Sequence, residues 1–219
     1  MNRSKARLMV KRCLDVGLAL LVLVALSPLW LVIAAVVTLT QGRPVLFSQT
    51  RLGLQGRPFE LYKFRTMTSA TDEDGCLLED EFRLTSIGRL LRKTTLDELP
   101  GLVNVLRGEM SIVGPRPLLP EYEKLYSLQQ WRRHDMKPGM AGPVVARGRN
   151  SLSWEDKLDA DVDYVNNWSL GLDIKVLGLS VIRVFNGRGV SAEGHATMPR
   201  FTGTAGRHPT APDPSPHDT

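Results

Sequence analysis

Residues 16–37, VGLALLVLVALSPLWLVIAAVV, decide the class of this chain. An apolar run of this length is enough to cross a bilayer as one helix. It has no polar stripe to turn towards water, so a surface helix of a soluble domain does not fit. The run is longer than the apolar region of a signal peptide, and no small-residue cleavage site follows it. Ser27-Pro28 lies near its middle. Proline there removes an intrahelical hydrogen bond and clashes with the preceding turn, which favours a bend.

The flanks sharpen the expected path. Arg3, Lys5, Arg7, Lys11 and Arg12 precede the run; Arg43, Arg51, Arg57, Lys63 and Arg65 follow it. A single span carries its basic excess on the cytoplasmic side alone. Two basic flanks put both ends on the same side. The expectation is a re-entrant helix that enters the cytoplasmic leaflet, breaks at Ser27-Pro28 and returns. The Ser27 hydroxyl would serve a backbone group freed at the bend. A kinked spanning helix is the competing reading.

The chain has 219 residues, room for one domain with a sizeable core plus appendages. Its net charge of +5, with a pI near 9.4, favours anionic partners: nucleic acid, acidic lipid or phosphorylated small molecules. The two cysteines, Cys13 and Cys76, lack CxxC spacing, which argues against a disulfide framework or thiolate zinc. This thiol usage fits a reducing cytoplasm. Three of the four histidines (His195, His208 and His217) fall in or near the C-terminal tail, so a histidine-rich metal centre is not expected. His134 reads as structural.

Beyond the membrane element the pattern is α+β and mainly helical. Residues 45–49 and 59–64 alternate as strands, and Gly53, Gly56 and Pro58 punctuate the turn of a small β-hairpin. Residues 68–81 form an acidic loop. Short helices are expected at 86–93, 96–107 and 119–128, then a Gly/Pro-rich stretch over 137–150. Helices at 153–166 and 172–186 follow. The last is apolar around most of its circumference; it reads as a core helix in preference to one lying in the membrane interface. The division expected is a membrane re-entrant helix over 1–40, a catalytic domain over 41–198, and a tail of disordered composition over 199–219. No internal repeat is present.

Chemistry concentrates in residues 95–117, TLDELPGLVNVLRGEMSIVGPRP. Thr95 and Glu98 have the spacing of an ordinary capping box, and this is the plain reading of the acids. If a helix begins there, its N-terminus favours anions by about 0.3–1 kcal/mol and welcomes phosphate. Adjacent helical side chains point about 100° apart, so Asp97 and Glu98 suit two roles better than one shared proton. Asp can attack phosphorus to give an acyl phosphate. A Mg²⁺ ion would be bound by one or two carboxylates plus substrate phosphates. Lys63, Arg65, Arg92 and Arg116 could neutralise diphosphate charge.

These residues, in this order, resemble the bacterial sugar transferases, small monotopic phosphoglycosyl transferases that start membrane-linked glycan assembly. The resemblance runs from Lys11 to Val184. It rests on KRCLDVGLAL with Ser27-Pro28, GRPVLFSQTRLGLQGRPFELYKFRTM, RKTTLDELPGLVNVLRGEMSIVGPRP, KPGMAG, GRN and DYVNNWSLGLDIKVL. It implies a re-entrant membrane helix in the bacterial inner membrane with the catalytic domain on the cytoplasmic face. It also implies a reaction of a UDP-sugar with polyprenyl phosphate, giving polyprenyl diphosphate-sugar and UMP. Carried over by motif, Asp97 attacks the β-phosphorus and holds the phosphosugar. Glu98 helps hold Mg²⁺ and assists the acceptor step, and Arg92 orients the site. Pro115, Arg116 and Pro117 shape the nucleotide end, with Lys63 and Arg65 close by. Arg149 contacts phosphate or sugar. Membrane lipid and downstream glycosyltransferases are implied partners.

One departure stands out. Many members carry an aromatic and a glutamine after the KPGxxG glycine, whereas here Gly142 is followed by Pro143-Val144-Val145-Ala146. That change bears on sugar preference. The chain also reads as the short form, without the multi-helix N-terminal extension of larger relatives. Two rival functions are a non-catalytic membrane-anchored scaffold and a membrane-tethered nucleic-acid binder. The second has no stacking platform, since aromatics are only 6% of residues. No nucleic-acid partner is therefore expected. No GxxxxGK[ST] phosphate loop is present either.

Overall fold

The computed structural model describes residues 5–147, 152–186 and 201–203. The apolar run forms two helices, α1 (Lys5–Ala25) and α2 (Ser27–Gln41), bent by 64° at Leu26. The break falls where Ser27-Pro28 predicts it. Pro28 occupies the first turn of α2, where its missing N–H costs nothing. Ser27 Oγ donates to Val24 O at 2.9 Å, the local partner expected at the bend. Among the described residues no single helix is long and apolar enough to cross a membrane; only the bent pair is.

The two helices are tied to the rest by their far ends. In α1, Asp15 accepts from Ser111 Oγ at 2.8 Å and from the Ile112 backbone N–H at 3.0 Å. Lys11 donates to Val113 O and to Asp173 Oδ2. Arg12 caps the end of a later helix by donating to Val105 O and Leu106 O. Lys11 and Arg12, read from sequence as flanking charges, are therefore structural ties. In α2, Ile33 and Val37 are buried against Phe64 and Leu91, and Trp30 meets Phe64 edge-on at 5.3 Å. Around the bend, Leu20, Leu21, Val24, Leu31 and Val32 remain exposed.

The expected hairpin forms from β1 (Leu46–Leu52) and β2 (Pro58–Phe64), with Phe47 opposite Lys63 and Gln49 opposite Leu61. The acidic loop then ends in a single turn, α3 (Asp80–Arg83), before α4 (Ser86–Thr94). Thr85 caps α4 by accepting from the Gly88 N–H at 2.9 Å. Gly88 is required by packing: a Cβ there would lie 1.9 Å from Thr66 O.

The expected 96–107 helix is divided. Thr95 closes α4 in the left-handed region (φ 61°), and no side-chain cap forms at Thr95. Residues 96–98 are one turn of 3₁₀ helix, and α5 (Gly101–Arg107) starts only after Pro100. The capping box is thus replaced by a sharp corner, because Thr95 has already left helical geometry.

A second pairing escapes the sequence pattern. Strand β3 (Ser111–Val113) pairs in parallel with β4 (Gly139–Ala141), inside the Gly/Pro-rich stretch. Glycine is needed at 139, where a Cβ would sit 2.0 Å from Gly114 N. Between these strands lie a 3₁₀ segment at Pro120–Leu125 and the short α6 (Leu128–Trp131), in place of one helix over 119–128.

Helices α7 (Trp154–Asn167) and α8 (Leu170–Asn186) close the domain. α7 begins with a capping box between Ser153 and Asp156. α8 packs one face into the core, with Val176 buried and Leu172, Leu177 and Leu179 against it, while Ile174, Val181 and Ile182 are exposed. Phe201, within the stretch read as a tail, is buried against Tyr122, Trp154 and Tyr126. The central core joins Phe59, Leu61, Leu102, Val105, Ile112 and Tyr164.

The tie at Asp15 has a measurable consequence. Asp15→Ala leaves the buried Ile112 N–H without its acceptor and should lower unfolding stability by roughly 1–3 kcal/mol. Asp15→Asn keeps an acceptor oxygen and should lose less. Thermal unfolding in detergent compares the two; equal losses would show that the hydrogen bond is not what anchors α1.

Candidate active site

The corner at residues 95–98 sets two neighbouring acids in different surroundings. Glu98 Oε1 accepts from Lys63 Nζ at 2.7 Å and from Arg116 at 2.7 Å. Lys63 comes from β2, and Arg116 from the rigid Pro115-Arg116-Pro117 turn after β3. Burial alone would hinder ionisation of Glu98, but the Arg116 and Lys63 cations and their hydrogen bonds hold its carboxyl well below the usual range. Asp97 is 7% exposed. Its pKa is pushed up to about 6, first by burial and then by the Glu98 charge, against the pull of Lys63, Arg92 and Arg116. Carboxylates whose environments push their pKa values apart divide labour. Asp97 is the poorly solvated, chemically available one; Glu98 is the permanently charged one.

Arg92 projects from the last turn of α4 and donates from Nε to Thr66 Oγ1 at 3.0 Å. Its charge favours ionised Asp97. Arg65 is turned elsewhere: it donates to Met67 O, Arg43 O and Ser69 Oγ, bracing the segments that flank the hairpin. Pro115 O accepts from the Gly139 N–H, which joins the turn to β4. Arg149 lies outside the described residues, as do His195, His208 and His217. His134 is buried, and its Nδ1 lies 3.1 Å from Gly53 O. A carbonyl only accepts, so Nδ1 carries the proton. Burial, with the Arg133 charge, pushes its pKa down to about 4. It is a neutral structural ring, as its isolation in the sequence suggests.

Three supports of the site were not singled out from the sequence. Arg133 and Asp161, 2% and 3% exposed, form a buried ion pair. Arg133 also donates to the Arg116 carbonyl, which fixes the turn that carries that guanidinium. Arg51, read only as a flanking charge, lines a pocket of about 70 Å³ with Lys63, Glu98, Arg116, Pro117 and Met140. The usable signal was register: Gln49 and Arg51 alternate onto the hairpin face that carries Lys63. No group of three or more His, Cys, Asp or Glu side chains is placed to hold a metal ion among the described residues. Asp97 and Glu98 therefore fit a hard divalent cation only if other oxygens complete its shell.

Sequence comparison supplies the family. The model for bacterial sugar transferases matches residues 6–187. The chain is 51% identical over 197 residues to an uncharacterized sugar transferase, EpsL, of Bacillus subtilis, covering 90% of this chain and 98% of that protein. It is 38% identical over 185 residues to a UDP-glucose:undecaprenyl-phosphate glucose-1-phosphate transferase of Klebsiella pneumoniae. That match covers 80% of this chain but 40% of the Klebsiella protein. The exopolysaccharide production protein ExoY of Sinorhizobium fredii is 36% identical over 196 residues, covering 82% of this chain and 87% of its own. With the family match spanning the described domain from α1 to α8, this chain belongs to the bacterial sugar transferase family.

Proposed function

We propose that this protein transfers a sugar 1-phosphate from a UDP-sugar to polyprenyl phosphate, undecaprenyl phosphate by analogy with named relatives. The products are polyprenyl diphosphate-sugar and UMP. One observation carries the reading: a buried carboxylate of raised proton affinity stands beside a second carboxylate locked between two cations.

In the proposed reaction an Asp97 carboxylate oxygen attacks the β-phosphorus. The bond from that phosphorus to the bridging oxygen breaks, UMP leaves with the electron pair, and an aspartyl phosphosugar remains. An oxygen of polyprenyl phosphate then attacks the same phosphorus and releases the Asp97 carboxylate. Neither step consumes a proton on Asp97, so a carboxylate ionised at neutral pH suffices. Lys63 and Arg116 offset negative charge on the diphosphate, and Arg92 keeps Asp97 ionised and oriented. Glu98, held so firmly ionised, is a poor proton acceptor; its part is to fix Lys63 and Arg116. Both cations sit on Oε1, so Asp97 and the other Glu98 oxygen would hold Mg²⁺ together with substrate phosphates. When bound, that ion would neutralise diphosphate charge.

The bent pair α1–α2 would enter and leave one leaflet. Its exposed apolar side chains around the bend would lie in lipid while its far ends stay tied to the domain. This supports placement at the bacterial inner membrane with the site on the cytoplasmic face. There an apolar polyprenyl chain and a soluble nucleotide sugar can meet. The product would feed downstream glycosyltransferases of a polysaccharide pathway.

Asp97→Asn should cut UMP release by at least about a thousandfold and abolish a phosphosugar adduct on the peptide holding residue 97. Full turnover in that variant would sink the mechanism.

The raised pKa of Asp97 also has a stability signature. The folded state binds the extra proton between about pH 4 and 6, so stability falls as pH rises through that window, by roughly 2–3 kcal/mol in all. Asp97→Asn lacks this penalty. With EDTA present, its melting-temperature advantage over wild type should grow from pH 4 to 6.5 and then level off. An advantage independent of pH would contradict the burial of an ionisable Asp97.

Topology is open to labelling. In a variant with Cys13 and Cys76 replaced by serine, single cysteines at Asn2 and Val45 should react from the cytoplasmic side alike. Opposite-side labelling would favour a spanning helix.

A further inference from the structure

The cluster holds more positive charge than its acids balance. Arg51, Lys63 and Arg116 border one pocket, and Glu98 is the carboxylate that lines it with them. Arg51 and Arg116 are like-charged neighbours, and burial followed by the Arg116 charge lowers the proton affinity of Arg51. Keeping two guanidiniums together beside partly buried walls is costly unless an anion lies between them. The pocket they border has a volume of about 70 Å³, more than a single water needs. That is room for a phosphate-sized anion. Leu61, Met110 and Met140 make part of its wall.

Arg51 is built to present its donors. Its strand register puts it on the Lys63 face of the hairpin, and Gln49 on the same face accepts from one terminal nitrogen at 2.6 Å. The other terminal nitrogen makes only a long contact, 3.4 Å, to Pro117 O. Among the described residues Nε is buried without a partner. A guanidinium held at one corner, with donors to spare, is suited to bidentate recognition of phosphate.

We propose that Arg51 is a phosphate-binding residue that, with Arg116, grips a phosphate on the Glu98 side of the cluster, with Gln49 as its positioning residue. Glu98 borders this pocket and Asp97 does not. The phosphate held there is therefore the one that Asp97 does not attack. Two sources share that chemistry: the nucleotide's α-phosphate, which gains charge as UMP departs, and the phosphate of the polyprenyl acceptor. The inference rests on the transferase reading above and deepens it.

The test is steady-state UMP release by the full-length protein in detergent with Mg²⁺, using a UDP-sugar that the wild type turns over and undecaprenyl phosphate. Arg51→Gln should raise one KM by tenfold or more, and Arg51→Lys, which keeps the charge but not the fork, should recover part of the loss. A rise in the UDP-sugar KM, with matching loss of thermal stabilisation by UDP, assigns the nucleotide phosphate. A rise in the acceptor KM alone assigns the acceptor phosphate. Wild-type values of both KM in R51Q would overturn the assignment, even if kcat and melting temperature fall, since that pattern marks a purely structural residue. Should R51Q fail to fold, R51K decides: a threefold or greater rise in one KM is expected, and no change in either overturns the proposal. Absence of UMP release by wild type from every UDP-sugar would instead remove the transferase reading, and this inference with it.

Discussion

The two-cation grip on Glu98 Oε1 is the interaction on which the rest of the site depends. It gathers Lys63 from the hairpin and Arg116 from the turn after β3 onto one oxygen, each at 2.7 Å. These partners lie 35 and 18 residues from Glu98 in sequence, so the grip fixes three separate elements relative to one another. Buried ion pairs are weak evidence for stability, because desolvation offsets much of the Coulomb attraction. Their clearer effect here is geometric. With Glu98 committed to its two cations, its negative charge stands beside Asp97 and raises the proton affinity of that neighbour. One acid is fixed as a counter-charge so that the other can stay available.

That grip needs a rigid base, which comes from elements distant in sequence. The Arg116 carbonyl accepts from Arg133, itself locked to Asp161. The strand leading into Arg116 is held by Asp15 of α1 through Ser111 and Ile112. Lys11 adds a bond to Val113 O and connects it to Asp173, which also accepts from Tyr164 and Trp168. The helix that begins the apolar pair is thus bonded to the strand that delivers the site's guanidinium. On the proposed topology, depth in the membrane and position of the site are set by one set of hydrogen bonds.

Much of this was legible in the sequence because it is local. A proline in an apolar run and an alternating hairpin with glycine at its turn each declare themselves within a few residues. What the sequence hid is long-range. Strands β3 and β4 are only three residues each and pair across 28 residues, too short for a periodic pattern. Thr95 looks like a cap, since threonine at that spacing usually is one; instead it closes α4 in the left-handed region. Lys11 and Arg12 looked like flanking charges because no local pattern marks a cation that will be buried against carbonyls 93 to 102 residues away. Arg51 was hidden for the same reason, although alternation along β1 already put it on the Lys63 face.

The order of the two acids then acquires a physical meaning. Helical geometry would have splayed Asp97 and Glu98 about 100° apart on an exposed first turn, both well solvated and both ordinary. The corner at Thr95 replaces that turn by a tight 3₁₀ step. It sends Asp97 inward, to 7% exposure, and leaves Glu98 facing the cations of β2 and the Pro-Arg-Pro turn. Exchanging the two residues would put the longer side chain in the tighter space and the shorter one out of reach of Lys63 and Arg116. The sequence Asp-Glu, not merely two carboxylates, is what this backbone can divide into a reactive acid and a fixed counter-charge.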